Sequence, residues 1–513
     1  MSGAALKEIH ISDEVWDEIL RCVPDEERAA VSTVSRQLRR ISLPQLVKRV
    51  VLRAYSSKDG QLLLPSTSIV EGMLERLAFY TSPKIAPYVR SCKITTYMQT
   101  HAPFAPSNDP HLLQTAFFQK LSCFAGLRSL SMSRIHLTGQ DLTLLMGLRS
   151  LESFEAEHCP LPSTCPPGLD ASLTLPSLSF IPEKFDEDGE EFETWLKLID
   201  TTKLRRVALR NSIYNADGLS SYPAVTELVT SSDASWSDVR QLERLLGCFP
   251  GIRRLRLDVP TISFSSPSHP DPSFIGDLSL DYLEELEIVE DFLGAFLPFS
   301  DTITRLNVYG METRTLKEVF GTRATYTNLT SLFATILKLA SKDLGTVLRH
   351  LTKLEKCMIV SEYEDTKMRG AENKIATKFF SEILQPKVTL PRTLTHLALF
   401  LNLDTDNDGA PIPHAFIDPV ATCTTLRARL PRLVFMWLDG ADFLIDWRAE
   451  RSEEDGLKTY QVKRTGKKFQ GRDEDASGKF MGQGMLLEDI PEFGFFQKYW
   501  HSKILQVAVS INS

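Results

Sequence analysis

Residues 124–137 read FAGLRSLSMSRIHL, and this stretch decides the fold of the chain. Successive side chains of a strand point to opposite faces, so the apolar residues of the central L-x-M, Leu130 and Met132, share one face. Leu127 and Ile135, three positions before and after that pair, continue the same apolar ladder. The stretch predicts a short strand with one apolar side.

The same ladder returns along the chain at spacings of mostly about 20 to 31 residues, close to the length of a leucine-rich repeat. Helical segments such as residues 238–249 and 342–354 lie between copies. No single repeat can bury its apolar face alone. We therefore predict an α/β fold, an irregular leucine-rich-repeat solenoid with a parallel sheet on its concave face and helices on its convex face. Clear further copies are Leu148-Leu151-Phe154-Ala156, Phe249-Ile252-Leu255-Leu257 and Leu351-Leu354-Cys357-Ile359.

A second feature precedes the repeats. Residues 11–41, ISDEVWDEILRCVPDEERAAVSTVSRQLRRI, predict a helical hook, a name kept for this segment below. Asp13 can cap a first helix, and Pro24 closes it. Val31, Val34, Leu38 and Ile41 recur at spacings of three, four and three, which predicts one apolar helix face. So small a core is not stable alone, so we expect the hook to dock on a partner or on the rest of the chain.

The hook resembles an F-box, in its fungal form with divergent leucine-rich repeats. The resemblance rests on Ile11, on Asp13-Glu14-Val15, on Ile19-Leu20 and on the closing Val34-Ser35-Arg36-Gln37-Leu38-Arg39-Arg40. In that family the F-box binds the S-phase-kinase-associated adaptor subunit and, through it, a cullin. By this resemblance, adaptor binding or hook packing belongs to Ile11, Asp13, Glu14, Val15, Ile19, Leu20, Val34, Ser35 and Leu38.

Two positions depart from the family pattern. Ser12 stands where the family has proline, and Leu38 stands where it has an aromatic residue. Either change could weaken adaptor binding. An ordinary N-terminal helical cap on a larger domain is the alternative interpretation of the hook.

The sequence divides into five predicted regions. The change in character after residue 445, where charged residues replace aliphatic ones, marks an insertion or hairpin, and aromatic residues return in the tail. The regions are an F-box-like helical domain (8–52), a helical linker (53–88), the solenoid (89–445), the charged insertion or hairpin (446–480) and a C-terminal cap (481–513).

The composition and the apolar pattern argue against several classes of protein. A formal net charge of −8 argues against a dedicated nucleic-acid binder. No apolar run is long enough to cross a bilayer, and residues 1–10 lack a secretory signal, so we expect a cytoplasmic or nuclear protein that is not secreted. The eight cysteines are scattered, which favours free thiols.

Motifs for catalysis or cofactor binding are not found. The sequence contains no phosphate loop, dinucleotide fingerprint or zinc-ligand spacing. Asp404, Asp406 and Asp408 have the spacing of half a calcium loop, but Ala415 stands where the bidentate glutamate belongs. We predict a non-catalytic chain with no metal and no cofactor.

Partner specificity is expected on the concave face, from strand residues that alternate with the buried ladder. Phe435 and Trp437 are expected there as exposed interface anchors. The predicted substrate-binding residues are Arg206, Arg210, Arg254, Arg256, Glu285, Glu287, Arg305, Tyr309, Phe435 and Trp437.

The function that the resemblance implies is substrate recognition in an SCF-type cullin–RING ubiquitin ligase, with an unidentified protein as substrate. A protein-interaction scaffold that works without ubiquitin ligation is the alternative. An arginine-lined stretch such as Arg253, Arg254 and Arg256 could favour a phosphorylated partner.

Overall fold

The computed structural model describes most of the chain between residues 11 and 461. The C-terminal cap predicted at 481–513, most of the predicted insertion and the calcium-like residues 404–408 lie outside the described part. The described ranges are 11–58, 61–97, 104–106, 109–162, 166–169, 171, 173–182, 190–210, 220–231, 239–258, 278, 280–320, 326–337, 339–363, 372–403, 418–439, 443–449 and 456–461.

The chain forms two compact units. The first comprises residues 1–266 and 277–280, and the second comprises residues 267–276 and 281–513.

The helices of the first unit are α1 (Asp13–Cys22), α2 (Asp25–Val34), α3 (Arg36–Leu46), α4 (Thr67–Tyr80), α5 (Leu112–Lys120), α6 (Gly139–Met146), α7 (Glu190–Lys197) and α8 (Val239–Gly247). Its strands are β1 (Arg49–Arg53), β2 (Ser56–Lys58), β3 (Gln61–Pro65), β4 (Ser91–Thr95), β5 (Phe104–Pro106), β6 (Ser129–Ser133), β7 (Ser153–Glu157), β8 (Ser177–Ile181), β9 (Arg206–Arg210), β10 (Glu227–Ser231) and β11 (Arg254–Asp258).

The helices of the second unit are α9 (Glu290–Leu293), α10 (Thr313–Phe320), α11 (Ser341–Leu348), α12 (Glu372–Ile383) and α13 (Pro419–Arg429). Its strands are β12 (Glu285–Val289), β13 (Arg305–Glu312), β14 (Ser331–Leu337), β15 (Lys356–Tyr363), β16 (His396–Leu403), β17 (Phe435–Asp439), β18 (Phe443–Arg448) and β19 (Gly456–Gln461).

Parallel strands stack in chain order within each unit. In the first unit the order is β1-β4-β6-β7-β8-β9-β10-β11, and β2, β3 and β5 form a small antiparallel sheet. In the second unit β12 to β17 are parallel, and β18 and β19 continue as antiparallel strands. Each connection leads to the next strand on the same side of the previous one. When such crossovers all have the same handedness, the connecting helices lie on one face of the sheet. This order confirms the predicted α/β class with leucine-rich-repeat-like stacking.

The leucine ladder forms the core. Leu130 pairs with Cys92 on β4 and with Phe154 on β7, and these side chains are completely buried. Met132 pairs with Ile94 and Ala156 in the same way, so each strand adds one layer to a continuous apolar stack. Burying one such side chain is worth about 1.5–3 kcal/mol, and the stack sums many of them.

Some boundaries differ from those read from the sequence. β1 begins at Arg49, inside the predicted F-box-like domain, and pairs with β4, so the parallel sheet starts before residue 89. The predicted linker holds β2 and β3 as well as a helix. The described residues of the region predicted as a charged insertion or hairpin belong to β18 and β19, and Trp447 is buried.

Within the described residues, we find no helix that is both long and apolar enough to cross a membrane.

Candidate docking surfaces

The hook consists of α1, α2 and the first half of α3. Its predicted continuous apolar face is wrong, because Ser35 is extended (φ −150°, ψ 160°) and ends α2. The Ser35 hydroxyl accepts a hydrogen bond from the Leu38 amide at 3.1 Å and so caps α3. Ser12, and not Asp13, occupies the N-cap position of α1. The sequence carried this signal, since serine is a preferred cap residue.

Polar bonds hold the three helices together. Gln37 donates to Asp13 at 2.9 Å, and Arg40 forms an ion pair with the same carboxylate. Arg28 on α2 donates to the carbonyl oxygens of Leu20 at 2.9 Å and Val23 at 2.6 Å, which ties α2 to the end of α1. A shallow groove opens between the start of α1 and α3, lined by Ser12, Asp13, Glu14, Arg36, Gln37 and Arg40.

Three of the predicted adaptor-binding residues are apolar and exposed. Val15 is 50% exposed and Ile19 is 42% exposed, and their spacing of four places them on one face of α1. Val34, the last residue of α2, is 73% exposed. Exposed aliphatic side chains grouped on one helix face, as Val15 and Ile19 are, are suited to contact a partner.

The remaining predicted adaptor residues have other positions. Leu20 is 1% exposed and belongs to the packing of the hook, while Ile11 and Leu38 are half-buried. Glu14 is exposed at the start of α1, where hydrogen bonding to backbone N–H and then to Ser12 lowers the pKa of its carboxyl.

We use the name far face for the side of each sheet opposite the buried leucine ladder. In the first unit the far face of β1, β4, β6 and β7 is polar except for Val51, and it is mostly half-exposed. The register aligns its residues in rows across the strands, such as Arg49–Ser91–Ser129–Ser153 and Val51–Lys93–Ser131–Glu155. Ser131 donates to Glu155 at 2.8 Å across one such row.

Three of the predicted arginines of the first unit, Arg206, Arg254 and Arg256, lie on this far face. Arg206 Nε lies 2.9 Å from Glu227 Oε1 on the neighbouring strand, so this cation is already in an ion pair. Arg254 is exposed and Arg256 is half-buried. The side chain of Arg210 lies outside the described residues, although its backbone ends β9.

The far face of the second unit is different, and the predicted exposure of its aromatic anchors is wrong. Phe435 is 2% exposed and Trp437 is 4% exposed. His396 stacks on Phe435 at 5.9 Å between ring centroids, and Phe400 lies 6.2 Å from Trp437. The reason is visible in β14 to β17, whose apolar residues run without alternation, as in SLFATIL and HLALFLNL, which is typical of strands buried on both faces.

The predicted charged residues of the second unit are also partly buried. Arg305 Nη1 lies 2.8 Å from the carboxylate of Glu285, which is buried. The Tyr309 hydroxyl donates to Glu287 at 3.0 Å, and both side chains are buried. These residues bind one another across β12 and β13, so the expectation that they stand open toward a substrate is wrong for Glu285, Glu287 and Tyr309.

The described part of the chain contains no candidate metal site. Its residues include no group of three or more His, Cys, Asp and Glu side chains placed to hold a metal ion. Its cysteines are free thiols, and burial raises the pKa of Cys92, Cys159 and Cys357 to about 12.

Comparisons with known proteins give little beyond this description. No family model matches the chain, and no curated protein matches it. Among solved structures, one similar to it is described as the crystal structure of the APL1 leucine-rich repeat domain, with 11% sequence identity over 62% of this chain and 73% of that chain. The TM-score of 0.20 is too low for this likeness to carry an argument.

Proposed function

We propose that this chain is a non-catalytic substrate-recognition subunit of an SCF-type cullin–RING ubiquitin ligase. The hook would bind the S-phase-kinase-associated adaptor, and the repeats would bind a protein substrate. The single observation that supports the proposal best is the exposure of Val15, Ile19 and Val34, three apolar residues at positions that match the F-box motif. Left uncovered, such a surface favours association with a partner.

The mechanism that follows is one of proximity. A receptor that holds the adaptor at one site and a substrate at another raises the local concentration of substrate near the ubiquitin-conjugating enzyme. Within each unit the parallel strands stack in chain order and present the repeat surface, and the hook precedes β1 by only a few residues in sequence. No catalytic group on this chain is required.

Ser12 favours a second candidate, a protein-interaction scaffold outside the ligase. It occupies the N-cap of α1 at the position where the F-box pattern has proline. Serine leaves the helix start intact but changes the surface that an adaptor would meet. A scaffold would use the repeats alone.

Co-purification separates the two candidates. Tagged full-length protein is recovered from cells and probed for the adaptor and for a cullin, together with the variant Val15→Asp/Ile19→Asp. The control Ile69→Asp/Val420→Asp places aspartate at exposed apolar residues in the first turns of α4 and α13, where a negative charge is tolerated. The ligase function predicts adaptor and cullin with the wild type and the control, and neither with the hook variant. Adaptor without cullin would favour the scaffold, and absence of both from the wild type would overturn the ligase proposal.

A further inference from the structure

The far face of the second unit is buried, whereas the far face of the first unit is mostly half-exposed. Phe333, Met358 and Ala398 follow one another in a far-face row across β14, β15 and β16. Phe333 is 1% exposed, and Met358 and Ala398 are completely buried. Trp437 continues the row on β17 and is 4% exposed. The far face of the second unit must therefore be covered.

The described helices and strands do not supply this cover. Parallel crossovers of one handedness place their helices on one face of a sheet. In the first unit the ladder is completely buried and the far face is half-exposed, so the helices lie on the ladder side. The same strand order in the second unit places α10 to α13 on the ladder side of their own sheet, and β18 and β19 extend that sheet sideways. The burial is that of a single chain, so other residues of the chain must cover the face.

Two buried donors on this face have no acceptor among the described residues. They are Nδ2 of Asn307, whose side chain is 2% exposed, and Nε1 of Trp437. Both residues lie in the far-face row of Phe333, Asn307 on β13 and Trp437 on β17. Four strand spacings separate them, about 19 Å, which about six residues of extended chain can span. Backbone carbonyl oxygens of such a segment would accept from both donors, and a buried donor left without an acceptor costs free energy.

The end of this chain has the composition for such a cover. We use the name tail segment for residues 493–511, which begin with FGFFQKYW, the densest aromatic cluster in the sequence. Residues 505–511, LQVAVSI, place branched aliphatic side chains at alternate positions, which predicts a strand with one apolar side. The tail segment contains two lysines and no acidic residue, and the face holds the buried carboxylates of Glu285 and Glu287. Apolar surface and charge therefore both match.

The connection to the tail segment is long enough for this contact. The last strand, β19, ends at Gln461, so about 30 residues lead from it to Phe493. Fully extended, they span roughly 100 Å. The six strand spacings from β19 back to β13 amount to only about 29 Å. The tail segment can therefore reach every strand of the face.

We propose that the tail segment lies across the far face of β13 to β17 of the same chain. Its apolar side chains cover Phe333 and Met358, and its backbone carbonyl oxygens face Asn307 and Trp437. This position differs from that of a cap on the last repeat, because the segment covers the side of the sheet and not its end. While the tail segment is bound, this face is closed to other proteins, and its release opens the face. The proposal does not rest on the ligase function.

The reactivity of a thiol placed under the tail segment tests the proposal in the full-length chain. Met358→Cys introduces this thiol, and Ser179→Cys introduces a reference thiol on the half-exposed far face of β8. Native Cys357 is completely buried on the ladder side of the same strand as Met358, so its protection reports that the unit is folded. Rates of labelling by iodoacetamide at pH 8 are measured by site-resolved mass spectrometry.

Each cysteine variant is combined with four forms of the C-terminal region. These are the unchanged sequence, Phe495→Asp/Trp500→Asp, the milder Phe495→Ala/Trp500→Ala, and a matched control, Phe469→Asp/Phe480→Asp. The control introduces the same charges between β19 and the tail segment.

With the unchanged sequence, we expect Met358→Cys to react at least tenfold more slowly than Ser179→Cys. The aspartate tail variant should accelerate Met358→Cys at least tenfold and the alanine variant at least threefold, while the control and the rate of Ser179→Cys remain unchanged. Cys357 should stay protected throughout. If Cys357 is labelled in the aspartate variant, the alanine variant decides by the same comparison.

Three results would overturn the proposal. Fast labelling of Met358→Cys beside an unchanged tail would show that the face is open. Slow labelling that persists in both tail variants would show that another part of the chain covers it. Slow labelling that becomes fast on dilution would assign the cover to a second copy of the chain.

Discussion

Gln45 on α3 donates a hydrogen bond from Nε2 to Oδ1 of Asp17 on α1 at 2.7 Å, across 28 residues of sequence. With the bond between Gln37 and Asp13, it ties the first half of α1 to α3 by polar contacts at two points. About half of the Val15 and Ile19 side chains stays exposed beside these contacts. They are left available for a partner.

Gln45→Ala is expected to loosen α1 locally. One lost hydrogen bond is worth about 1 kcal/mol, which raises local opening about fivefold. Hydrogen exchange of amides in α1, followed by mass spectrometry, measures this change. The control Gln140→Ala alters an exposed glutamine on α6 and should leave exchange in α1 unchanged. Identical exchange in both variants would show that the bond does not hold the hook.

Leu130→Ala removes a completely buried ladder side chain from β6. Loss of the transfer free energy together with the remaining cavity is expected to destabilise the first unit by about 2–5 kcal/mol. Leu112→Ala on α5 is the control, because Leu112 is 38% exposed and its truncation should change stability by less than about 1 kcal/mol. Urea unfolding followed by exchange of peptides from β4, β6 and β7 compares the two. Similar midpoints would contradict a stacked core at this position.

These ladder positions are the part of the fold that sequence predicts well. The L-x-x-L-x-L spacing requires one buried face whatever lies around it, and the same spacing at Val89-Cys92-Ile94 and at Leu175-Leu178-Phe180 also coincides with strands, β4 and β8. The pattern does not predict the burial of Phe435 and Trp437, because it places them on the face opposite the ladder without indicating whether that face is covered. Whether that face is buried depends on distant segments, and only the lack of alternation in β14 to β17 signals it.

For the candidate surfaces, too, sequence predicts the local features but not those that depend on which strands pair. The exposed hook residues follow from motif and helix spacing, which are local. The far-face row of Val51 and Lys93 depends on the pairing of β1 with β4, across a gap of about 40 residues that holds a helix and two other strands. Sequence periodicity does not predict which strands become neighbours across such a gap.

Arg305→Met is expected to destabilise the second unit, because it removes a 2.8 Å ion pair from the buried carboxylate of Glu285. Arg305 is itself half-exposed, so the expected loss is about 1–3 kcal/mol and not the full cost of breaking a buried pair. The double variant Arg305→Met/Glu285→Gln should recover part of the loss, since it also removes the charge of the buried carboxyl. A double-mutant cycle from urea unfolding tests this. Additive effects of the two substitutions would contradict a coupled pair.

Exposed cysteines should react with a thiol reagent faster than buried ones. Cys22 and Cys123 are exposed, whereas burial raises the pKa of Cys92, Cys159 and Cys357 to about 12. At pH 8 only about one in 10⁴ of each buried thiol is ionised, and the thiolate is the reactive form. Brief treatment with iodoacetamide at pH 8 and site-resolved mass spectrometry should modify Cys22 and Cys123 first. Labelling of Cys159 as fast as Cys22 would contradict its place in the ladder.

The most direct test of the proposed function is the affinity of the purified full-length chain for the purified S-phase-kinase-associated adaptor. Isothermal titration calorimetry compares the wild type, Val15→Asp/Ile19→Asp and the exposed-residue control Ile69→Asp/Val420→Asp. We predict a one-to-one complex with the wild type and the control, and at least about a hundredfold weaker binding by the hook variant, because central apolar anchors carry most of an interface's free energy. A wild-type chain that does not bind the adaptor, or a hook variant that binds it equally well, would contradict the proposal.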